Sequence, residues 1–387
     1  MKETILNLRR ESFGGTLFAV NKGQRTYLDE NEFNMLVSRT PSAQDFLATL
    51  GFEGELKIIS PERISGNSFS APDTIFFELT RACDLRCLHC FNNSGIKLPD
   101  ELSPQERTAI TEDVANSGVQ EIRFTGGEPT LAPDIDKLMQ LAIESGMRVS
   151  LGTNGIFANG PRAEKIANLL HLAVISLDGT RSAHDKIRGK GNFDRTLAGI
   201  RILQSYRVDV RVNTVVMKSN FDEVVALVEY LYDLGVAVFI RRLIPSGRAD
   251  EMNSEMLTRS DYLRLASKLE KQLQDPRGLV RGHYLAETEV RTRIVLPFVR
   301  YNCSAGTRGL VILPNGRVQT CGFLGPLGEV SVGNLRKESL ATVWQRLTES
   351  NHIEQLRSNL PAHNTRTSGP CTNCLAIALA QKEPENS

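Results

Sequence analysis

From Thr74 onward the chain alternates short apolar runs with longer stretches of helical spacing. Strands are predicted over residues 75–79, 121–125, 148–152, 174–177, 211–216 and 236–241, with helices between them. The first of these helices opens on Ser103-Pro-Gln-Glu106, a capping box with proline in the first turn, and ends near Gly118. Such alternation predicts parallel β/α units. Six of them make an α/β fold of the partial (β/α)6 barrel kind, in which functional residues gather at the C-terminal strand ends.

The residues before this pattern read as a separate α+β module, residues 1–66. Residues 13–28 suit two short strands around a turn at Asn21 to Gly23. Asp29 is placed to cap a helix carrying Phe33, Leu36 and Val37 on one face, and Ser42 to begin another carrying Phe46, Leu47 and Leu50, which Gly51 stops. The stretch from Pro61 to Pro72, with Ser and Gly between, reads as a linker. The barrel then occupies residues 67–259. A connecting segment follows over residues 260–302, led by a helix with apolar Tyr262, Leu263, Leu265 and Leu269. Residues 303–387 predict a small C-terminal α+β domain, with two strands joined at Pro314-Asn-Gly and a helix through Trp344.

A length of 387 residues fits two or three domains. The net charge of +1 gives no electrostatic case for nucleic acid or an anionic membrane as partner. No run approaches the roughly 18 apolar residues of a membrane span. Nor does an apolar signal segment open the chain, so a reducing cytoplasm is expected and disulfides are not.

Three of the seven cysteines, Cys83, Cys87 and Cys90, lie just after the first barrel strand in a C-x3-C-x2-C spacing. On a loop, three sulfurs can address one centre. A four-iron cluster normally takes four thiolates, so three leave one iron open to a small molecule. A zinc site or a disulfide with a spare thiol is the alternative, although C-x3-C is not the common zinc spacing.

This triplet, followed by the aromatic Phe91, resembles the signature of the radical S-adenosylmethionine (SAM) enzymes. Further strand ends extend the resemblance. Gly126-Gly-Glu-Pro129 resembles the segment that meets the amino group of SAM, and its glycines allow close backbone approach. Thr153-Asn154 and Ser176 with Asp178 suit ribose hydroxyls, and Arg188, in His184-Asp-Lys-Ile-Arg-Gly189, is expected to pair with the SAM carboxylate. Asn213 and Leu243 are candidates for ribose and adenine contacts. His89 reads as a packing or exposed residue.

The other four cysteines, Cys303, Cys321, Cys371 and Cys374, resemble the ligands of a twitch or SPASM-like domain with one auxiliary [4Fe-4S] cluster, a structural zinc site being the alternative. The N-terminal module resembles the winged-helix peptide-recognition element of maturases that act on ribosomally made peptides. Together these resemblances imply a peptide maturase that cleaves SAM to a 5′-deoxyadenosyl radical and drives an oxidative crosslink or excision. Its implied partners are a precursor peptide, with its leader on the N-terminal module, and a one-electron reductant such as a flavodoxin or ferredoxin. The alternative is a radical SAM oxidoreductase acting on a small molecule, with that module as a lid or dimer surface.

Overall fold

The computed structural model describes residues 5–61, 68–160, 162–273, 280–282, 304–323 and 331–350. The N-terminal module comprises β1 (Ile5–Glu11), β2 (Gly14–Ala19), β3 (Gln24–Leu28), α1 (Glu30–Val37), α2 (Pro41–Thr49) and β4 (Glu55–Ile59). β2 and β3 flank the expected turn, where Gly23 takes φ +66°. β1 and β4, absent from the sequence reading, complete a sheet in the order β3-β2-β1-β4, with β4 parallel to β1.

Asp29 caps α1 through a full capping box, and Phe33 and Leu36 are buried. Val37 points outward instead. α2 begins earlier than expected: Thr40 is the N-cap and Pro41 opens the first turn, because its fixed φ suits that position, so Ser42 lies inside the helix.

The barrel runs β5 (Thr74–Glu78), α3 (Pro104–Asn116), β6 (Glu121–Thr125), α4 (Ile135–Glu144), β7 (Arg148–Thr153), α5 (Ala163–Leu169), β8 (Leu172–Ser176), α6 (Arg181–Arg188), α7 (Asn192–Ser205), β9 (Asp209–Val216), α8 (Phe221–Asp233) and β10 (Ala237–Arg242). Neighbouring strands from β5 to β10 are parallel. Side chains alternate along each strand. Ile75, Phe77, Ile122, Phe124, Val149 and Leu151 are fully buried in the main core. Their alternates, including Phe76, Arg123, Ser150 and Arg211, face the barrel lumen.

α9 (Arg259–Leu273) follows, with Tyr262, Leu265 and Leu269 buried but Leu263 exposed, and then β11 (Val280–Gly282), β12 (Gly309–Ile312), β13 (Arg317–Gln319), β14 (Ser331–Asn334) and α10 (Leu340–Glu349). The C-terminal strands do not form a sheet of their own. β12 lies parallel to β5, with Leu310 opposite Ile75, so one ten-stranded sheet runs β11-β10-β9-β8-β7-β6-β5-β12-β13-β14. This pairing occupies the edge of β5 that would otherwise expose unpaired backbone groups.

The N-terminal module docks on the barrel at the N-terminal ends of its strands. Arg9, fully buried, pairs with Glu11 (2.6 Å) and Asp73 (2.9 Å) and donates to the carbonyls of Pro72 and Gly118. Arg148, at the start of β7, donates to the carbonyls of Val20 (2.7 Å) and Asn21 (2.6 Å). Asn7 donates to the carbonyl of Gly146. A module at that end cannot act as a lid over the C-terminal strand ends, so that expectation is corrected. The second half of the expected linker is packed: Phe69 and Ala71 are buried, and the Phe69 carbonyl accepts from Trp344 Nε1 at 2.7 Å.

Candidate active site

The segment after β5 carries Cys83, Cys87 and Cys90 without regular secondary structure, held instead by hydrogen bonds from other strand ends. All three cysteines pack in one small cluster with Leu85 and Ile156. The Cys83 amide donates to the Gly95 carbonyl (3.3 Å), and that of Leu88 to the Ile187 carbonyl (2.9 Å).

Arg248, beyond β10, closes the loop from the other side. Its Nε donates to the Cys87 carbonyl (2.7 Å), its Nη1 to the Ser94 carbonyl (2.7 Å) and Asn93 Oδ1 (3.1 Å), and its amide to the Cys90 carbonyl (3.0 Å). Gly247, at φ +61°, permits this approach, since an added Cβ would lie 2.3 Å from the Phe91 carbonyl oxygen. The sequence reading missed Arg248; its one signal is a glycine-arginine pair just after the sixth strand.

The Gly126-Gly127 turn presses against the same segment. The Gly127 amide donates to the Thr80 carbonyl (2.7 Å) and the Glu128 amide to the Ala82 carbonyl (2.8 Å). A Cβ on Gly127 would stand 2.2 Å from the Ala82 oxygen. With those amides engaged, carbonyl groups are what this turn has left for a ligand ammonium.

Glu128 is a buried brace rather than a surface charge or a ligand contact. Its carboxylate accepts from the Thr130 hydroxyl, the Thr153 hydroxyl and the Asn154 amide, tying the end of β6 to the end of β7. Pro129, also buried, starts the short turn that positions Thr130. Asn154 Nδ2 in turn donates to Asp84 Oδ1 at 2.7 Å, beside the first cysteine.

Asp178, expected to face a ribose, is fully buried and differently occupied. It accepts from Arg188 Nε (2.6 Å) and the Val215 amide (2.7 Å), and it pairs with His89 Nε2 (2.7 Å). Burial alone would raise its pKa, but Arg188 and His89 outweigh that and hold it well below the usual carboxylate range. His89 is therefore a buried hydrogen-bond partner of Asp178 and neither exposed nor merely packed. Arg188, steered by Asp178, reaches Cys87 Sγ at 3.6 Å. The structure thus brings Arg188 to the cysteine loop and removes Asp178 from the ligand-facing set.

Ser176, at the end of β8, stands opposite Asn213 within β9, and Asn213 Oδ1 is buried with no hydrogen-bond partner among the described residues. Leu243 is buried with Ile187, Met217 and Ala249. Phe91 meets Phe323 edge to face at 4.7 Å, joining the cysteine loop to the segment after Cys321. Cys303, Cys371 and Cys374 lie outside the described residues.

The donor set fits a multi-iron cluster. Three thiols, Cys83, Cys87 and Cys90, come together on one loop beside Leu85 and Ile156, and thiolates are the ligands such a cluster takes. Burial pushes the Cys83 thiol up to about 12 and raises Cys87 as well, so both become thiolates readily only when a cationic centre holds them.

Residues 77–238 match the radical SAM superfamily, and residues 303–375, which include the last four cysteines, match the SPASM iron-sulfur cluster-binding domain. The AdoMet-dependent heme synthase of Methanosarcina barkeri is 31% identical over 297 residues, covering 71% of this chain and 83% of the relative. The mycofactocin maturase MftC of Mycolicibacterium smegmatis is 29% identical over 314 residues, covering 79% of this chain and 76% of the relative. Streptococcus suis SuiB bound to the precursor peptide SuiA shares the fold, with a TM-score of 0.72 at 16% identity, over 97% of this chain and 93% of that one. With its cysteine loop, its iron-sulfur extension and these relatives, the chain belongs to the radical SAM superfamily and is an enzyme of SAM and iron-sulfur chemistry.

Proposed function

We propose that this enzyme oxidatively modifies a ribosomally made precursor peptide, by crosslinking it or excising a fragment. The observation that carries the reading is the β1–β4 module docked on the barrel through Arg9, Asn7 and Arg148. It suits strand addition by a peptide, and the likeness to SuiB, solved with its precursor peptide, extends over nearly the whole chain. MftC and the sporulation killing factor maturation protein SkfB of Bacillus subtilis, named as maturation enzymes, support it.

When bound, a reduced cluster and SAM together supply a hydrogen-abstracting 5′-deoxyadenosyl radical. Cys83, Cys87 and Cys90 would hold that cluster, and Cys303, Cys321, Cys371 and Cys374 an auxiliary one. The carbonyls of Gly126 and Gly127 would receive the SAM ammonium, and Arg188 its carboxylate. Thr153, Asn154, Ser176, Asn213 and Leu243 would line the nucleoside. Glu128, Asp178 and Arg248 fix the positions of these groups and exclude water around them.

The module sits at the opposite strand ends from this site, so a leader held there is separated from the reacting residue by at least the length of β5, about 16 Å for five residues. A spacer of about five extended residues is the minimum for one peptide to reach both.

The name of the heme synthase relative favours a second reading, a small-molecule oxidoreductase. The test is to incubate the anaerobically reconstituted full chain with SAM, a reductant and the product of a short neighbouring open reading frame. A peptide lighter by hydrogen or by an excised fragment supports the proposal. Deoxyadenosine formation with the peptide neither bound nor altered supports the second reading.

A further inference from the structure

The outer surface of the cysteine loop is both apolar and basic. Arg86 and Leu88 alternate with its buried positions and are exposed, Leu88 over half of its surface. The Arg86 guanidinium lies against Gly95, where an added Cβ would stand 2.4 Å from Cζ, and so adjoins a second exposed pair, Ile96 and Lys97, with Ile96 73% exposed. On the other side the Leu88 amide donates to the Ile187 carbonyl (2.9 Å), which brings the loop to the end of α6, where Lys186 and Lys190 are exposed. One band therefore runs from Ile96 and Lys97 across the loop to Lys186 and Lys190.

Arg86, Lys97, Lys186 and Lys190 make no ion pair among the described residues. The carboxylates adjoining them in sequence face neutral donors instead: Asp84 accepts from Asn154 Nδ2, and Asp185 from the amides of Gly191 and Phe193. Large apolar side chains left in water among unpaired cations, on a chain whose net charge is only +1, mark a surface for a partner rather than a solvated face. Beneath it Cys83 and Cys90 are half-buried, so little more than the loop itself stands between this surface and the three thiols.

We propose that this band docks an acidic electron-transfer protein, which loses one electron as the iron-sulfur centre held by Cys83, Cys87 and Cys90 gains it. Acidic side chains of the carrier meet the four cations, and apolar ones around its redox centre cover Leu88 and Ile96. A small patch suits a partner that must leave after each delivery, because electron-transfer encounters bury less surface than stable complexes. The inference rests on membership of the radical SAM superfamily and not on whether the substrate is a peptide or a small molecule.

The test gives the reconstituted full-length enzyme reduced flavodoxin or, in a parallel arm, reduced ferredoxin, and compares both with dithionite, a donor small enough to need no docking surface. Two quantities are read: the affinity for the oxidised carrier, by titration, and the rate of deoxyadenosine formation. Lys97→Glu combined with Lys190→Glu should weaken carrier binding and slow carrier-driven turnover about tenfold or more at low salt, while dithionite-driven turnover and iron content stay at the wild-type level. Raising salt from about 0.05 to about 0.5 M should weaken binding by the wild type and leave that of the double variant nearly unchanged. Ile96→Ser should weaken binding without altering its salt dependence. Lys22→Glu, exposed on the N-terminal module at the opposite strand ends, should change nothing. The proposal is overturned if the wild type binds neither carrier, if the double variant binds fully, or if the wild type self-associates through a contact that the double variant abolishes, which assigns the surface to a second copy of the chain. Dithionite-driven deoxyadenosine formation by the same wild-type preparation separates such a failure from a failure of the radical SAM assignment.

Discussion

Arg248 Nε donates to the main-chain carbonyl of Cys87 at 2.7 Å, across 161 residues of sequence. The loop that carries the three cysteines has no regular structure of its own, so its shape depends on such outside donors. Arg248→Ala removes three side-chain hydrogen bonds from that loop at once. Residues that orient metal ligands typically contribute ten- to hundredfold in metal affinity or activity. We expect a fall of about that size in deoxyadenosine formation, together with lower iron content after reconstitution. Full iron content with normal turnover in the variant would show that the loop holds itself.

Asp178, fully buried, pairs with the Arg188 guanidinium and shares a hydrogen bond with His89 Nε2. Asp178→Asn keeps the shape but removes the charge, leaving a buried guanidinium against Cys87 without its partner. Breaking such a pair costs about 3 kcal/mol, which should appear as a lower urea midpoint. Arg188 would also lose its steering, so the KM for SAM should rise about tenfold or more, whereas substitution of a residue with no part in positioning Arg188 would leave it unchanged. An unaltered KM would mean that Arg188 does not face the SAM carboxylate.

His184, fully buried, accepts from the Asp178 amide through Nδ1. Burial, with Arg188 adding to it, pushes its pKa from 6.5 to about 4. Between those values the unfolded chain binds a proton that the folded chain refuses. Stability therefore falls as pH drops from 6.5 towards 4, by on the order of 2 to 3 kcal/mol, and levels off below. The difference in urea stability between the wild type and His184→Asn should narrow over that window by this amount. A difference independent of pH would place the imidazole in contact with water.

The six barrel strands were legible because each is a short run with a buried outer face, and the helix start at Ser103 because its capping box is local. β1 and β4 were not. β1 buries Asn7, Arg9 and Glu11, polar residues whose partners lie on the barrel, so its pattern reads as polar until the docked neighbour is known. β4 is largely exposed and pairs with β1 from fifty positions away. The same limit hid part of the site. The cysteines and the glycine pair stand close in sequence, whereas the roles of His89, Asp178 and Arg248 are created by contacts between distant strand ends.

Arg9 joins the N-terminal sheet to the barrel through Glu11, Asp73 and the carbonyls of Pro72 and Gly118. All five donors of a guanidinium serve best where acceptors are fixed, and here they belong to both partners of the dock. Arg9→Met leaves Glu11 buried without its cation and Asp73 with only the longer pair to Arg25 at 3.5 Å, at a cost of about 3 to 5 kcal/mol. That loss falls on the interface and not on the strand ends that carry the cysteines. The variant should therefore show a separate early unfolding transition by calorimetry and faster proteolysis between module and barrel. Deoxyadenosine formation without peptide should persist, while peptide modification falls, because a loosened module no longer holds a leader at a fixed distance from the site. Equal loss of both activities would instead mean that the dock shapes the barrel itself.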